Sequence, residues 1–351
     1  MENSHRALWV GGRGELSIRQ QPSPTAASLS AKQYIVRVIY SGVNPADQKH
    51  AMVLGLGDRV AGYDAAGIIV ATGAETSLKK GRRVCVLAKT GIVEHAERYG
   101  CHQEFLVAEE AGCFPVPERV PMHIAATMPV VVATAADCLF SLLRLEPERS
   151  EANRVPVLIW GGSSAVGNAA LQLAREAGTW PIIVTASPRH HPELMRRGAT
   201  ACVDYKDERV LDKILAIVQE LAPGKALRHA VDAVGHNARD IQELCGGELD
   251  SALACTVGGA HGLPKPFAAV VHGCDIALGH GLRIPARTQD AAVVRDKVLW
   301  ALNHSGCGFE QVPVTIVQGL DEVQKCVEKC AQGSISFGKY VACLSPSSTQ
   351  M

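Results

Sequence analysis

Val155-Pro-Val-Leu-Ile-Trp160, Gly161-Gly-Ser-Ser-Ala-Val-Gly167 and Asn168-Ala-Ala-Leu-Gln-Leu-Ala-Arg175 follow one another without a break, and their reading decides the fold. A short apolar run reads as a buried strand, and the alanine- and leucine-rich run reads as a helix. The turn between them gathers backbone N–H groups and the positive end of a helix dipole at one spot. That arrangement suits a pyrophosphate, and hence a dinucleotide. The match to G-x-G-x-x-G is incomplete, because Ser164 stands at the middle glycine. A plain structural βα turn is the competing reading.

Working outward, the 351 residues allow two domains, and 47% hydrophobic with 20% charged residues allows a sizeable core. Lysine plus arginine equals aspartate plus glutamate at 35 each, with no basic stripe, so neither nucleic acid nor an anionic membrane surface is an expected partner. No apolar run approaches the roughly 18 residues of a membrane span. Met1–Trp9 lacks the apolar core of a secretory signal. The 12 cysteines are scattered with no C-x-x-C, although Cys326 and Cys330 lie one helical turn apart. Free thiols in a reducing compartment fit this pattern, and a cytoplasmic location is expected.

Residues 1–127 are β-rich: Tyr34–Ser41, Ala65–Ala71 and Arg82–Ala88 read as strands. From 128 to 283 strands and helices alternate, with strands at Trp180–Ala186, Ala201–Tyr205, Arg228–Ala233 and Leu253–Val257 and helices at 191–197 and 208–222. This is the rhythm of a doubly wound parallel sheet. Residues 284–351 return to a β-type composition around helices at 290–304 and 320–332, with strands at Val312–Val317 and Lys339–Leu344, and are expected to complete the first domain. The fold class is therefore α/β, a β-rich domain plus a Rossmann domain.

The second strand of the doubly wound part ends Thr185-Ala-Ser-Pro-Arg-His-His191, without the carboxylate that would accept bonds from ribose hydroxyls. A hydroxyl and a guanidinium there match a 2′-phosphate, so Ser187, Pro188, Arg189 and His190 favour NADPH over NADH. The alternative is a strand end with a solvated Arg189. Tyr205, at the tip of the third strand, either closes over the adenosine or is simply structural.

Ser41–Asp47, Gly62–Gly67, Gly161–Gly167, Val203–Tyr205 and Ser336–Val341 together resemble the medium-chain dehydrogenase/reductase superfamily over nearly the whole chain. Within it the chain resembles the zinc-free members, and above all the fungal trans-acting enoyl reductases that serve polyketide synthases. The resemblance implies a GroES-like catalytic domain beside the Rossmann domain. It implies cofactor contacts at Asn44, Pro45, Ala46, Asp47, Gly161, Gly162, Ser163, Ser164, Ala165, Val166, Tyr205, Thr256, Val257, Val341 and Ala342. It places Pro129, Val130, Val131, Val132, Ala133, Thr134, Ala135, Ala136 and Asp137 along the substrate cleft. Zinc-dependent members carry a cysteine near Asn44 and Gly-His-Glu near Gly62. Here Asn44 and Tyr63-Asp64 stand there, poor zinc ligands beside thiolate and imidazole, so no metal is expected. His95 and His102 read as surface or cleft polar groups.

Without a Lewis acid, a conjugated carbonyl is the more accessible acceptor, because hydride addition at the β-carbon spreads charge into an enolate that hydrogen-bond donors can hold. Lys49 matches a family lysine, and stands as enolate stabiliser or proton relay; the alternative is an exposed lysine. Thr134 stands as a donor to the carbonyl or the cofactor amide, or else as a helix cap. Two departures from the family pattern are Ala65, where tyrosine often follows the aspartate, and the bulky Val130-Val-Val132 run. The expected function is NADPH-dependent reduction of an enoyl carbonyl, carrier-bound on a synthase. A quinone or ketone reductase of free small molecules is the alternative, and a non-catalytic nucleotide-binding partner of a biosynthetic complex is a second.

Overall fold

A computed structural model describes residues 4–235, 237–246, 252–256 and 263–344. The chain folds as two units, Met1–Val130 with Ala269–Met351, and Val131–Ala268. In chain order the first unit opens with strands β1 (Ser4–Val10), β2 (Leu16–Pro22) and β3 (Gln33–Gly42), helix α1 (Ala46–Leu54), and strands β4 (Arg59–Val60), β5 (Asp64–Thr72), β6 (Arg83–Leu87), β7 (Phe105–Glu109) and β8 (Cys113–Pro115). Helix α2 (Met122–Ala125) follows, and α3 (Pro129–Ala136) carries the chain out of this unit. The three strands anticipated here are β3, β5 and β6. The β1–β2 hairpin gave no sequence signal because Ser17-Ile-Arg-Gln-Gln21 lies largely at the surface and is polar.

The second unit holds β9 (Val157–Trp160), α4 (Ala165–Glu176), β10 (Ile182–Thr185), α5 (His191–Arg197), β11 (Ala201–Val203), α6 (Val210–Leu221), β12 (His229–Asp232), α7 (Ala238–Leu244) and β13 (Ala252–Cys255). Its strands are all parallel, in the order β11-β10-β9-β12-β13. The order reverses at β9, which makes the carboxyl end of β9 the switch point where a doubly wound sheet receives a ligand. Leu158, Trp160, Ile183, Ile214, Val218, Ala230 and Ile241 pack into one core on this sheet. The short polar helix α7 was not anticipated.

The chain re-enters the first unit at Ala269, ahead of the expected 284. Residues 268–272 form a 3-10 turn, and strands β14 (Ile276–Ala277) and β15 (Arg283–Ile284) make a small hairpin rather than continuing the parallel series. Helix α8 (Thr288–Asn303), β16 (Val314–Gln318), α9 (Gly319–Ala331) and β17 (Lys339–Cys343) complete the unit. Its large sheet runs β16-β17-β3-β5-β6-β8. Strand β3 shares one edge between two partners: β7 takes Gln33–Arg37 and β17 takes Tyr40–Gly42. That division brings residues near 340 beside those near 42. Leu320, Val323, Val327 and the two cysteines Cys326 and Cys330 form the buried stripe of α9 against Leu8, Val10 and Ala342.

Candidate active site

In the second unit the turn after β9 is pinned to β10. Gly161 N donates to Thr185 O and Oγ1 at 3.2 and 3.0 Å, and Gly162 N donates to Thr185 O at 3.0 Å. Gly161 has φ +85°, and a Cβ there would lie 2.6 Å from Val234 Cγ1. A Cβ on Gly162 would overlap Val184 Cγ1, and one on Gly167 would overlap the Gly161 carbonyl. The missing middle glycine also has a physical account. Ser164 is the N-cap of α4, and its Oγ accepts Gly167 N at 3.0 Å. The N–H groups of Ala165 and Val166 donate to nothing among the described residues. They are the orphan donors of a helix start, and a pyrophosphate is what such a cradle fits.

The end of β10 lies beside this turn. Ser187 precedes a 3-10 turn, Pro188–His190, with Arg189 exposed and its Nε donating to His190 Nε2 at 3.1 Å. Accepting that bond requires a neutral ring, and burial together with Arg189 and His191 lowers the His190 pKa. The next carboxylate in the chain, Glu193, is bonded by Arg196 Nη2 at 2.6 Å and Arg197 Nε at 2.8 Å, which hold its carboxyl down to about 2. Glu193 is thus already paired with these two arginines. Tyr205 follows β11 and is 43% exposed. Thr256 follows β13, its N donating to Asp232 O at 2.9 Å and its O accepting Lys265 Nζ at 2.8 Å. Val257 lies outside the described residues. Gly161–Val166, Ser187–His190, Tyr205 and Thr256 thus gather at the carboxyl ends of four parallel strands.

The first unit supplies a buried polar chain. Lys339 Nζ donates to Asn44 Oδ1 at 2.6 Å and to Asp64 Oδ2 at 3.0 Å, and Asn44 Nδ2 donates to Asp64 Oδ2 at 2.9 Å. Asp64 Oδ1 accepts Val130 N at 2.7 Å. Asp64 is fully buried, and Asn44 and Lys339 are 5% exposed. Burial raises the Asp64 pKa, opposed by the Lys339 charge and the bonds from Asn44 and Val130. From the other side Asp47 Oδ2 accepts Asn44 N at 2.7 Å and pairs with His102 Nε2 at 3.0 Å, while His102 Nδ1 meets Ser41 Oγ. His102 is fully buried, which corrects its reading as a surface or cleft group; His95, between Glu94 and Glu97, is exposed. The Asn44 side chain and Asp47 Oδ2 are therefore spent on holding the Asn44–Asp47 turn, while Asp47 Oδ1 is buried without a partner among the described residues, Pro45 is exposed and Ala46 is half-buried. Val341 and Ala342 lie fully buried in β17, paired with Gly42 and Ser41, so the structure does bring them beside that turn.

Lys49 and His50 follow on α1, both half-buried, and His50 Nδ1 bonds Tyr63 Oη at 3.1 Å. Burial pushes the Tyr63 hydroxyl up to about 12. On α3, Val130 and Thr134 are half-buried, whereas Pro129, Val131, Val132, Ala133, Ala135 and Ala136 are buried. Residues four apart share a helix face, so Val130 and Thr134 mark the accessible stripe. Of the bulky valine run, only Val130 has surface to offer. Thr134 lies inside α3, which excludes its reading as an N-cap. Asp137 opens a π-helical turn, Asp137–Leu142, and is fully buried with Oδ2 accepting Phe267 N at 2.9 Å, so it braces the backbone rather than lining a surface.

Among the described residues no three of His, Cys, Asp and Glu are placed to hold a metal ion. Lys339 was missed as a site residue, although a lysine opening the apolar run Tyr340-Val-Ala-Cys-Leu344 was the available signal. Among the described residues no helix is long and apolar enough to cross a membrane.

The alcohol dehydrogenase GroES-like domain family matches residues 30–118. The trans-enoyl reductase himH of Aspergillus japonicus is 30% identical over 328 residues, covering 86% of this chain and 86% of that protein. The trans-enoyl reductase phm4 of Pyrenochaetopsis sp. is 30% identical over 336 residues, covering 88% of each. Among solved structures, a putative zinc-dependent alcohol dehydrogenase from Rhizobium etli CFN 42 aligns with TM-score 0.74 at 19% identity, over 98% of this chain and 99% of that one. Crotonyl-CoA carboxylase/reductase AntE in complex with NADP aligns with TM-score 0.70 at 19% identity, over 98% and 95%. These two likenesses speak for the fold.

Proposed function

The chain belongs to the trans-enoyl reductase family within the medium-chain dehydrogenase/reductases, and on that premise we propose that it reduces the alkene of an enoyl carbonyl with NADPH. The observation that carries the reading is the pairing of a serine-capped glycine turn with a phosphate-ready Ser187–His190 segment. When bound, NADPH supplies the hydride. The Ala165 and Val166 N–H groups hold the pyrophosphate, Ser187 and Arg189 take the 2′-phosphate, and Tyr205 covers the adenosine. Asn44–Asp47, Thr256, Val257, Val341 and Ala342 serve as further cofactor positions, chiefly through backbone where their side chains are buried.

The acceptor lies along the Val130–Thr134 stripe of α3. Thr134 Oγ1 stands as a donor to the carbonyl oxygen or the cofactor amide, and the Lys49 ammonium as a stabiliser of the enolate. The α-carbon then takes its proton from Lys49 or from water, leaving a saturated carbonyl. The substrate is an acyl chain carried by a polyketide synthase, which makes that synthase the partner and the cytoplasm the compartment.

The test is NADPH consumption by purified protein offered an enoyl thioester, a quinone or an aldehyde, with NADH in parallel. Turnover of the thioester with NADPH supports the proposal, and consumption with the quinone alone would remove it in favour of a free small-molecule reductase. Binding of NADPH without turnover of any acceptor would favour a non-catalytic partner. Lys49→Ala is expected to lower kcat on the thioester by about 10²-fold or more, the usual worth of a positioned acid–base group.

A further inference from the structure

Lys339 has no part in the proposed chemistry, yet it is a cation sealed inside a sheet 295 residues from its partner Asn44. We propose that Lys339 is a positioning residue whose ammonium is the internal counter-charge of Asp64, and that through this carboxylate it fixes Asn44 and the first turn of α3. A buried carboxylate survives as an anion only when it is paired and its lone pairs are engaged. Asp64 meets both conditions: Oδ2 takes Lys339 Nζ and Asn44 Nδ2, and Oδ1 takes the Val130 N–H. Lys339 in turn bridges β17 to the Asn44 turn, which Asp47 and His102 hold from behind.

Among the described residues Lys339 is the one cation that donates to Asp64. Cys85 on β6 and Cys101 face Asp64, and Cys330 on α9 faces Lys339 and Asp47; burial raises all three thiols, so they stay neutral. The Asp47 carboxylate adds a like charge rather than relief. Without Lys339, Asp64 has only neutral donors, and burial drives it to take up a proton. A protonated carboxyl must donate from one oxygen, so it no longer accepts from both Asn44 and Val130 in the present geometry. Lys339 is thus coupled to Val130, one of the two accessible residues of α3, and this last link rests on the substrate reading of α3 given above.

The experiment compares wild type, Lys339→Met and the double variant Lys339→Met/Asp64→Asn by thermal unfolding at pH 5 and pH 8, with steady-state kinetics on an enoyl thioester. Burial already raises the Asp64 pKa in the wild type, and removing Lys339 raises it further above its unfolded value, so Lys339→Met loses more stability at pH 8 than at pH 5. Its Tm deficit relative to wild type is expected to be larger at pH 8 than at pH 5. The double variant carries no charge at either position 339 or position 64, and its deficit is expected to be the same at both pH values. In Lys339→Met kcat/KM is expected to fall about 10- to 100-fold, with the loss deepening toward pH 8. An equal Tm deficit of Lys339→Met at both pH values would overturn the proposal, and so would failure of the double variant to fold. The unfolding data stand whatever the acceptor proves to be, so a wild-type protein inert toward the thioester removes the proposed function and leaves the counter-charge assignment intact.

Discussion

Under the proposed function, single residues decide which nucleotide is held. Arg189 is exposed at the end of β10, and the nearby Glu193 is bonded by Arg196 and Arg197. A charge-assisted bond to a phosphate is worth about 1.5–3 kcal/mol, so Arg189→Ala is expected to raise the KM for NADPH about 10- to 100-fold. The KM for NADH should hardly move, and steady-state titration of the two cofactors measures the contrast. Ser164 shows how one residue reconciles a departure with a motif. Its hydroxyl caps α4 where a glycine would have left Gly167 N unpaired. Ser164→Ala is expected to cost about 1 kcal/mol in urea unfolding, the usual worth of an N-cap.

At the scale of elements, burial and titration meet in the 3-10 turn that re-enters the first unit. His272 ends that turn, both ring nitrogens are sealed from solvent, and burial pushes its pKa down to about 4. The folded protein therefore holds this ring neutral, whereas an unfolded chain protonates it below about 6.5. The sign is thus a loss of stability as pH falls from about 6.5 toward 4, amounting to about 2 kcal/mol between pH 7.5 and pH 5. Denaturation at those two pH values, repeated on His272→Leu, checks it: the variant should lose that part of the pH dependence. Strand β9 makes the complementary point about apolar packing. Leu158 is fully buried at the centre of the five-stranded sheet, so Leu158→Ala should cost about 2–5 kcal/mol. Elements of this kind were legible from sequence because their signal is local. The runs at 182–185 and 191–197 carry apolar or helical pattern within a few residues, and they form β10 and α5. Strand β2 and helix α7 were not legible, because neither carries an apolar face strong enough to stand out from polar neighbours.

Across the whole molecule, all 12 cysteines are free thiols, and most are buried. Only Cys274 and Cys307 are exposed. Under native conditions a thiol reagent is therefore expected to label those two first, with the full set reacting only in denaturant; mass spectrometry of the labelled peptides reads the order. The two units owe their definition to different kinds of information. The alternation of apolar strands and amphipathic helices, a pattern that short-range periodicity carries, points to a doubly wound domain over 128–283, and the unit itself is Val131–Ala268. The other unit joins Met1–Val130 to Ala269–Met351, and its sheet is closed where β17 pairs with residues 40–42 of β3. The sequence by itself determined the parallel sheet, the glycine turn between β9 and α4 and the absence of a thiolate at Asn44, because each is written in consecutive residues. Only the tertiary structure decided that Lys339 lies on Asn44 and Asp64, that His102 is buried on Asp47, and that Val130 and Thr134 form the open stripe of α3. Those facts depend on pairings across as many as 295 residues, and on which side chains the packed sheets shut away from water.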